Sequence, residues 1–123
     1  MAIDLAKVAK DKKIKYFLVS FVDLFGVLRS KLVPARAIGG MQKNGAGFAG
    51  FAAWLDLNPA HPDMFAMPDA DSMIILPWQR DVAWVASDLY MDGKALAASP
   101  RVALRAQMAK AKKMGYTFKT GVE

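Results

Sequence analysis

The sequence predicts an α+β fold in which short helices pack on one mixed sheet. Three observations support this class. Residues 14–23 form a dense run of strand-forming side chains, two further strand-like stretches follow near residues 72–76 and 81–90, and two stretches combine helical spacing with helix start and stop signals. Their order along the chain is a strand pair, a helix, a loop, more strands and a last helix, which is typical of an α+β roll.

The first third of the chain predicts a helix followed by a hairpin. Asp4 can accept hydrogen bonds from free helical N–H groups, so a short helix begins after it. Both faces of residues 14–23 are mostly apolar, as in a central strand. Gly26 permits the tight turn that a hairpin needs, and residues 27–33 then alternate between apolar and basic side chains.

The middle of the chain predicts little regular structure. Pro34 fits the first turn of a second short helix, which we expect Gly39 and Gly40 to end. Residues 45–51 are small, flexible and apolar, and they lead to Trp54. Prolines then punctuate a loop that extends to residue 71.

The last third predicts two strands, a helix and a final strand. The strands are residues 72–76 and 81–90, with a turn signal at Asp92 and Gly93. Ser99 is expected to cap a helix that starts at Pro100 and stops near Gly115. Residues 116–122 alternate like a strand, although the sequence offers that strand no obvious partner.

Composition narrows the class of protein. The 123 residues are 54% apolar and carry a net charge of +6, and no apolar run reaches the roughly 18 residues that span a bilayer. There is no cysteine and only one histidine, which excludes disulfides and multi-histidine metal sites. A secretory signal is absent from the first residues, so we expect a cytoplasmic protein without a membrane partner.

Charge is distributed unevenly along the chain. The two ends are basic, whereas residues 56–92 hold seven aspartates and one arginine. Such a bipolar chain suits a self-complementary oligomer, and it also leaves open a small basic nucleic-acid-binding module. The acidic middle would repel phosphates, so we expect no nucleic-acid partner.

Five segments, in order, resemble the N-terminal β-grasp domain of the glutamine synthetase family. They are Phe21-Val22-Asp23-Leu24-Phe25-Gly26 with the Lys31, Val33 and Pro34 that follow, the glycine-rich residues 45–50, residues 63–69 with the later Pro77-Trp78, residues 88–93 with Ser99-Pro100-Arg101, and Gly121-Val122-Glu123. The resemblance covers nearly the whole chain. It implies a β-grasp domain over residues 1–115, with residues 116–123 as the first strand of a catalytic domain that the chain does not contain.

The resemblance also implies an activity for the complete protein. Members of the family join glutamate to an amine through γ-glutamyl phosphate, with ATP and Mg²⁺ or Mn²⁺ as cofactors. The active site lies between subunits of a homo-oligomer, and the glycine-rich loop of the N-terminal domain closes the neighbouring subunit's site. The implied site residues are Ala49, Gly50, Phe51 and Asp63 for the amine pocket and Glu123 for the metal. We expect no cofactor, no catalytic residue and no activity in this chain alone.

One segment departs from the family pattern. Ordinary glutamine synthetases read Phe-Asp-Gly-Ser-Ser in the glycine-rich loop, where the aspartate helps to bind ammonium. Here the matching stretch is Phe48-Ala49-Gly50-Phe51-Ala52, which has lost the carboxylate and both hydroxyls. An apolar pocket favours an amine with a carbon substituent, and this pattern also resembles type III enzymes and γ-glutamylmethylamide synthetases. The acceptor is therefore either ammonium or a short alkylamine.

A third class is a free-standing β-grasp interaction module, comparable to ubiquitin-related domains. The apolar residues around Phe51 and the unpaired strand at residues 116–122 favour a missing continuation instead. Trp54, Trp78 and Trp84 are expected to serve in packing rather than as a stacking platform.

Overall fold

Strand pairing in the computed structural model, which describes residues 3–122, confirms the α+β class. A curled mixed sheet carries short helices, as predicted. Along the chain the elements are α1 (Leu5–Asp11), β1 (Tyr16–Val22), β2 (Leu28–Pro34), α2 (Ala35–Asn44), β3 (Ala46–Phe48), a 3₁₀ turn (Gly50–Ala53), β4 (Met64–Pro68), a 3₁₀ turn (Ala70–Ser72), β5 (Ile74–Ile75), β6 (Val82–Met91), β7 (Lys94–Ala95) and α3 (Pro100–Lys113).

The sheet has the strand order β2-β1-β6-β4-β3, and β5 and β7 also pair with β6. Strand β6 lies parallel to β1, with Phe17 opposite Ala83, whereas the other pairs are antiparallel. Alternate residues of β1 and β6 are buried, which places Phe17, Val19 and Val85 in the core. Helices α1 and α2 pack over this core through Leu5 and Ile38, neither of which is accessible to solvent.

The start of α1 and the first hairpin agree with the prediction from the sequence. Asp4 caps α1, since its Oδ1 accepts the N–H groups of Ala6 and Lys7 at 2.9 and 3.1 Å. Strands β1 and β2 pair in register from Tyr16 with Pro34 to Val22 with Leu28.

The predicted end of α2 is wrong. The helix continues through Gly39 and Gly40 as far as Asn44 and ends at Gly45, whose φ is +80°. A Cβ on Gly39 would lie 3.3 Å from the Cβ of Ala6, so this glycine allows α1 and α2 to approach closely. It serves helix packing rather than helix termination.

Two strands were missed in the middle of the chain. Residues predicted to be irregular contain β3 and β4, which pair from Ala46 with Ala66 to Phe48 with Met64. A Cβ on Gly45 would lie 2.8 Å from the Cβ of Phe65, so the segment needs small residues to approach β4. Glycines that read as loop in the sequence are here the condition for strand pairing.

Two other strand predictions need correction. Residues 72–76 were predicted as one strand, but only Ile74–Ile75 pair, after a 3₁₀ turn that Asp69 caps. Residues 116–122 have no regular secondary structure, because no strand among the described residues lies beside them. Glu123 lies outside the described residues.

Helix α3 is fixed to the sheet by ion pairs. Ser99 lies at the N-cap as predicted, but its buried hydroxyl makes no hydrogen bond within the described chain. Arg101 instead donates to Asp69 and to Asp88, each at 2.6 Å, and Arg105 bonds the same two carboxylates. These contacts tie the first two turns of α3 to the end of β4 and to β6.

The ion pairs set the pKa of Asp69. Partial burial acts to raise this pKa, but the hydrogen bond and charge of Arg101, with the Asp71 N–H and Arg105, outweigh it and hold the pKa of Asp69 below its ordinary value of 3.8. A carboxyl whose pKa is lower in the folded state stabilises the fold at pH values above the ordinary pKa. That contribution is lost as the pH falls through the lowered pKa, below 3.8.

We predict that Asp69→Asn destabilises the chain at neutral pH and much less in acid. Asn keeps the oxygen that caps Asp71 but removes the charge facing both arginines. The partly exposed network makes a loss of about 1 kcal/mol reasonable, which lowers the Tm of a domain of this size by about 4 °C. Thermal unfolding followed by circular dichroism between pH 7 and pH 2.5 measures the difference.

The matched control is Asp71→Asn, two residues along the chain, where no ion pair is recorded within residues 3–122. Its Tm should follow wild type at every pH. A constant gap between Asp69→Asn and wild type down to pH 2.5 would contradict the assignment.

Candidate functional site

The glycine-rich segment, residues 45–54, turns sharply at the edge of the sheet. Strand β3 ends at Phe48, Ala49 is extended, and the chain then makes a 3₁₀ turn over Gly50–Ala53. Trp54 closes the turn in the left-handed region, with φ +57°, and its N–H donates to the Phe51 carbonyl oxygen. The turn therefore presents residues 49–52 beyond the end of the sheet.

The structure places the four amine-pocket candidates at one end of the β3–β4 pair. Phe48 and Met64 are the last paired residues, so Ala49 and Asp63 are the residues immediately beyond that pair on the two strands. Ala49, Phe51 and Asp63 are exposed, whereas Gly50 is buried. This end of the pair can therefore offer an outward-facing surface that has an apolar part and one carboxylate.

Gly50 is buried because the backbone turns against its neighbours. A Cβ at this position would lie 2.9 Å from the Pro62 carbonyl oxygen and 3.5 Å from Leu57 and Met91 side-chain carbons. Such a distance to a backbone atom is shorter than real Cβ contacts allow. Glycine at residue 50 thus lets the segment lie against the residue that precedes Asp63.

The β1–β2 hairpin supports the segment from the side. The ring of Phe21 meets that of Phe48 edge-on, with centroids 4.9 Å apart. The Nζ of Lys31 lies 4.7 Å from the centre of the Phe48 ring and donates a hydrogen bond to the Gly47 carbonyl oxygen. At the other end, the Leu24 N–H donates to the Ala53 carbonyl oxygen at 3.1 Å.

A buried carboxylate organises the tip of this hairpin. Asp23 is inaccessible to solvent, and its Oδ1 accepts the N–H groups of Phe25 and Val27 while its Oδ2 accepts Nε of Arg29, each at 2.9 Å. Burial acts to raise the pKa of Asp23, but these hydrogen bonds and the charge of Arg29 leave the pKa below its usual range. The carboxylate is therefore ionised at neutral pH.

The sequence places Asp23, Phe25 and Lys31 in one segment of the family resemblance, and it predicts a hairpin turn at residues 24–26. It does not predict that these residues contact the glycine-rich segment. One signal was available, because Asp23 follows an apolar strand directly and precedes a glycine by three residues. A buried carboxylate at that place accepts backbone N–H groups of the turn.

Asp69 lies at the opposite end of β4 from Asp63 and has a structural role. Its carboxylate forms ion pairs with Arg101 and Arg105. His61 lies exposed in a tight turn with Asn58.

The described residues form no cluster of metal-ligating side chains. Within residues 3–122, no three acidic or histidine side chains come together in a way that could hold a metal ion. Glu123, the predicted metal ligand, lies outside the described residues. No helix in the described range is long and apolar enough to cross a membrane.

Comparison with known proteins finds relatives along the full chain, although no protein-family model matches it. A protein named glutamine synthetase from Rhizobium leguminosarum bv. phaseoli is 62% identical over all 123 residues. The glutamate–methylamine ligase of Methyloversatilis universalis is 38% identical over 116 residues, or 93% of the chain. The chain spans 28% and 26%, respectively, of the length of these curated relatives.

Solved structures show the same fold. A structure titled as GmaS without ligand superimposes with a TM-score of 0.88 at 54% identity, over 90% of this chain and 26% of that one. A second, titled as a complex of GmaS with ADP, matches equally well. The chain therefore matches the N-terminal region of the glutamine synthetase family and of GmaS.

We predict that Gly50→Ala lowers the free energy of unfolding, because the added methyl group would lie 2.9 Å from the Pro62 carbonyl oxygen. Forcing a methylene into such a contact costs roughly 1–3 kcal/mol. Urea unfolding followed by tryptophan fluorescence measures the loss of stability.

Gly47→Ala is the matched control, since its Cβ would lie 3.8 Å from the Phe65 ring, an ordinary contact. Neither glycine has a left-handed φ, so the two variants share the same change in backbone entropy. Equal stability of the two variants would show that residue 50 has more room than the structure gives it.

Proposed function

We propose that this chain is the N-terminal domain of an ATP-dependent glutamate–amine ligase of the glutamine synthetase type. The similarity of this chain to parts of a glutamine synthetase and of a glutamate–methylamine ligase, with the TM-score of 0.88 to GmaS, supports this proposal. In the complete protein, residues 1–115 form the β-grasp domain and residues 116–123 lead into the catalytic domain. ATP and Mg²⁺ or Mn²⁺ bind to that catalytic domain, where Glu123 contributes one metal ligand.

The outward-facing turn at residues 49–52 is the observation on which the proposed role depends. Ala49 and Phe51 are exposed beyond the sheet, so they form only one wall of a pocket. A second surface has to complete that pocket. We assign this surface to another subunit of a homo-oligomer, whose active site the glycine-rich segment closes.

The chemistry of this wall favours a short alkylamine as acceptor. Ammonium presents N–H donors on every side, and an unsatisfied buried donor costs roughly 1–3 kcal/mol. Ala49 and Phe51 offer no side-chain acceptor, whereas a methyl group on the amine would gain contact with them. A relative named glutamine synthetase and one named glutamate–methylamine ligase both match this chain, so the names of the relatives do not decide between the two amines. The assignment of the amine therefore depends on the side chains of the glycine-rich segment.

Asp63 supplies the negative charge that the segment lacks. Asp63 precedes Met64 on the strand opposite to Ala49, just beyond the β3–β4 pair, and it is exposed. We assign Asp63 to the mouth of the amine pocket, where a carboxylate attracts the protonated amine.

Nucleic-acid binding is the less favoured function. Two basic residues near the C-terminal end, Arg101 and Arg105, form ion pairs with Asp69 and Asp88 in the folded chain. Phosphate binding at that face would have to displace these carboxylates, so a basic total charge does not translate into a basic surface there.

We predict that the complete ligase containing this chain has a higher kcat/KM for methylamine than for ammonium, and that Ala49→Asp with Phe51→Ser reverses the preference. The added acceptors satisfy the N–H groups of ammonium and remove room for a methyl group. A tenfold change corresponds to about 1.4 kcal/mol, which one such contact can supply. Steady-state phosphate release with glutamate, ATP and each amine at equal free-base concentration measures it.

The control is Ala97→Asp, an equivalent change at an exposed residue away from the segment, which should leave the preference between the two amines unchanged.

The 123-residue chain alone should release no phosphate above a buffer blank. Preference of the wild-type complete protein for ammonium would refute the alkylamine assignment and leave an ordinary glutamine synthetase. Absence of ligase activity in the complete protein would refute the proposed function itself.

We also predict that the isolated chain self-associates through the apolar surface around the turn. Phe25, Phe51 and Trp54 are 72%, 49% and 57% exposed, and such a patch favours association. Sedimentation velocity at several concentrations should show dimers or larger species that Phe51→Asp reduces.

Trp78→Asp tests whether any exposed aromatic residue would do, since Trp78 is 78% exposed and lies outside the segment. That variant should associate like wild type. A monomer at all concentrations, or equal effects of the two substitutions, would contradict association through the turn.

A further inference from the structure

The β1–β2 hairpin holds the glycine-rich segment at both ends. Before the turn, Phe21 and Lys31 contact Phe48, and Lys31 also bonds the Gly47 carbonyl oxygen. After the turn, Leu24 and Phe25 of the hairpin tip contact Ala53 and Trp54. Residues 49–52 are thus suspended between two attachments to the same hairpin.

The attachment after the turn depends on the conformation of the hairpin tip. The Leu24 N–H donates to the Ala53 carbonyl oxygen at 3.1 Å, and the Phe25 ring meets the Trp54 ring edge-on with centroids 5.9 Å apart. Leu24 and Phe25 are both more than half exposed, so no burial in the core fixes their directions. Another interaction has to fix them.

Asp23 provides that interaction. One oxygen accepts the N–H groups of Phe25 and Val27, and the other accepts Nε of Arg29, so the carboxylate bonds both sides of the turn. A glycine-containing turn can close without a buried carboxylate. What the carboxylate adds is a fixed direction for residues 24 and 25, which touch the glycine-rich segment.

We infer that Asp23 is a positioning residue for the amine pocket, acting through Leu24 and Phe25 to set where residues 49–53 lie. This inference rests on the proposed function for its enzymatic consequence, but its structural part stands on the contacts alone. In this role Asp23 does not itself touch the amine. Loss of Asp23 should raise the KM for the amine far more than the KM for glutamate or ATP, because only the amine is assigned to the surface formed by residues 49–52.

The first arm of the test uses the 123-residue chain and no enzyme activity. In Asp23→Ala, hydrogen exchange of the Leu24 amide should accelerate about tenfold or more relative to the amides of β6, because the tip leaves Ala53. The double variant Asp23→Asn with Arg29→Gln keeps an acceptor for the turn and replaces the ion pair by an amide pair. It should restore the slow exchange of Leu24.

The control variant Val33→Ala lowers stability from a buried residue of β2 that is remote from the tip. It should accelerate exchange throughout the chain without singling out Leu24. Equal acceleration of Leu24 and β6 in Asp23→Ala would mean that Asp23 only stabilises the fold, and the inference would be overturned.

The second arm uses the complete ligase. Asp23→Ala should raise the KM for methylamine about tenfold while the KM values for glutamate and ATP stay within about twofold, and the double variant should reverse the change. Should Asp23→Ala fail to fold, Phe25→Ala carries the test, because its exposed side chain contributes to the Trp54 contact and not to the core. Its methylamine KM should rise about threefold or more.

The two arms separate failure of this inference from failure of the proposed function. An inactive complete protein refutes the ligase, while the exchange of Leu24 still decides whether Asp23 positions the segment. In an active ligase, unchanged methylamine KM values in both single variants, or equal rises in all three KM values, overturn the positioning role.

Discussion

Pairing of β6 with β1 on one side and β4 on the other is the interaction on which the rest of the structure depends. The first pairing is parallel and joins strands far apart in sequence, with Phe17 opposite Ala83. The second brings Ala66 opposite Leu89. Because β1 begins the hairpin and β4 pairs with β3, this one strand brings the hairpin tip and the glycine-rich segment together. The candidate site therefore depends on contacts between distant parts of the chain.

The candidate pocket wall is made by backbone shape as much as by side chains. Gly50 lets the turn lie against Pro62, and Ala49 then stands beyond the last strand pair beside Asp63. A substitution of Ala49 would leave that geometry in place while it changes the chemistry of the surface.

Local signals in the sequence correctly predicted the helices and strands whose formation depends on residues close to one another in the chain. Asp4 caps α1, β1 and β6 are rich in strand-forming side chains, and α3 begins at Pro100, as expected. Strands β3 and β4 were missed because Gly45 and Ala46 have no periodicity of their own and pair only where another strand lies close. The candidate site residues came from a resemblance. The same resemblance included Asp23, but its role was not predicted because that role depends on which segment faces the hairpin tip.

Helix α3 differs from α1 and α2, since none of its residues, all within the described part of the chain, is buried. Leu104 and Met108 remain 59% and 47% exposed, and the arginine–aspartate pairs of the first two turns hold the helix. Attraction between partly exposed charges is screened by salt, whereas the packing of the sheet is not. The domain thus has two parts with different solvent sensitivities. Salt is expected to weaken the attachment of the helix, and denaturants weaken the apolar packing of the sheet.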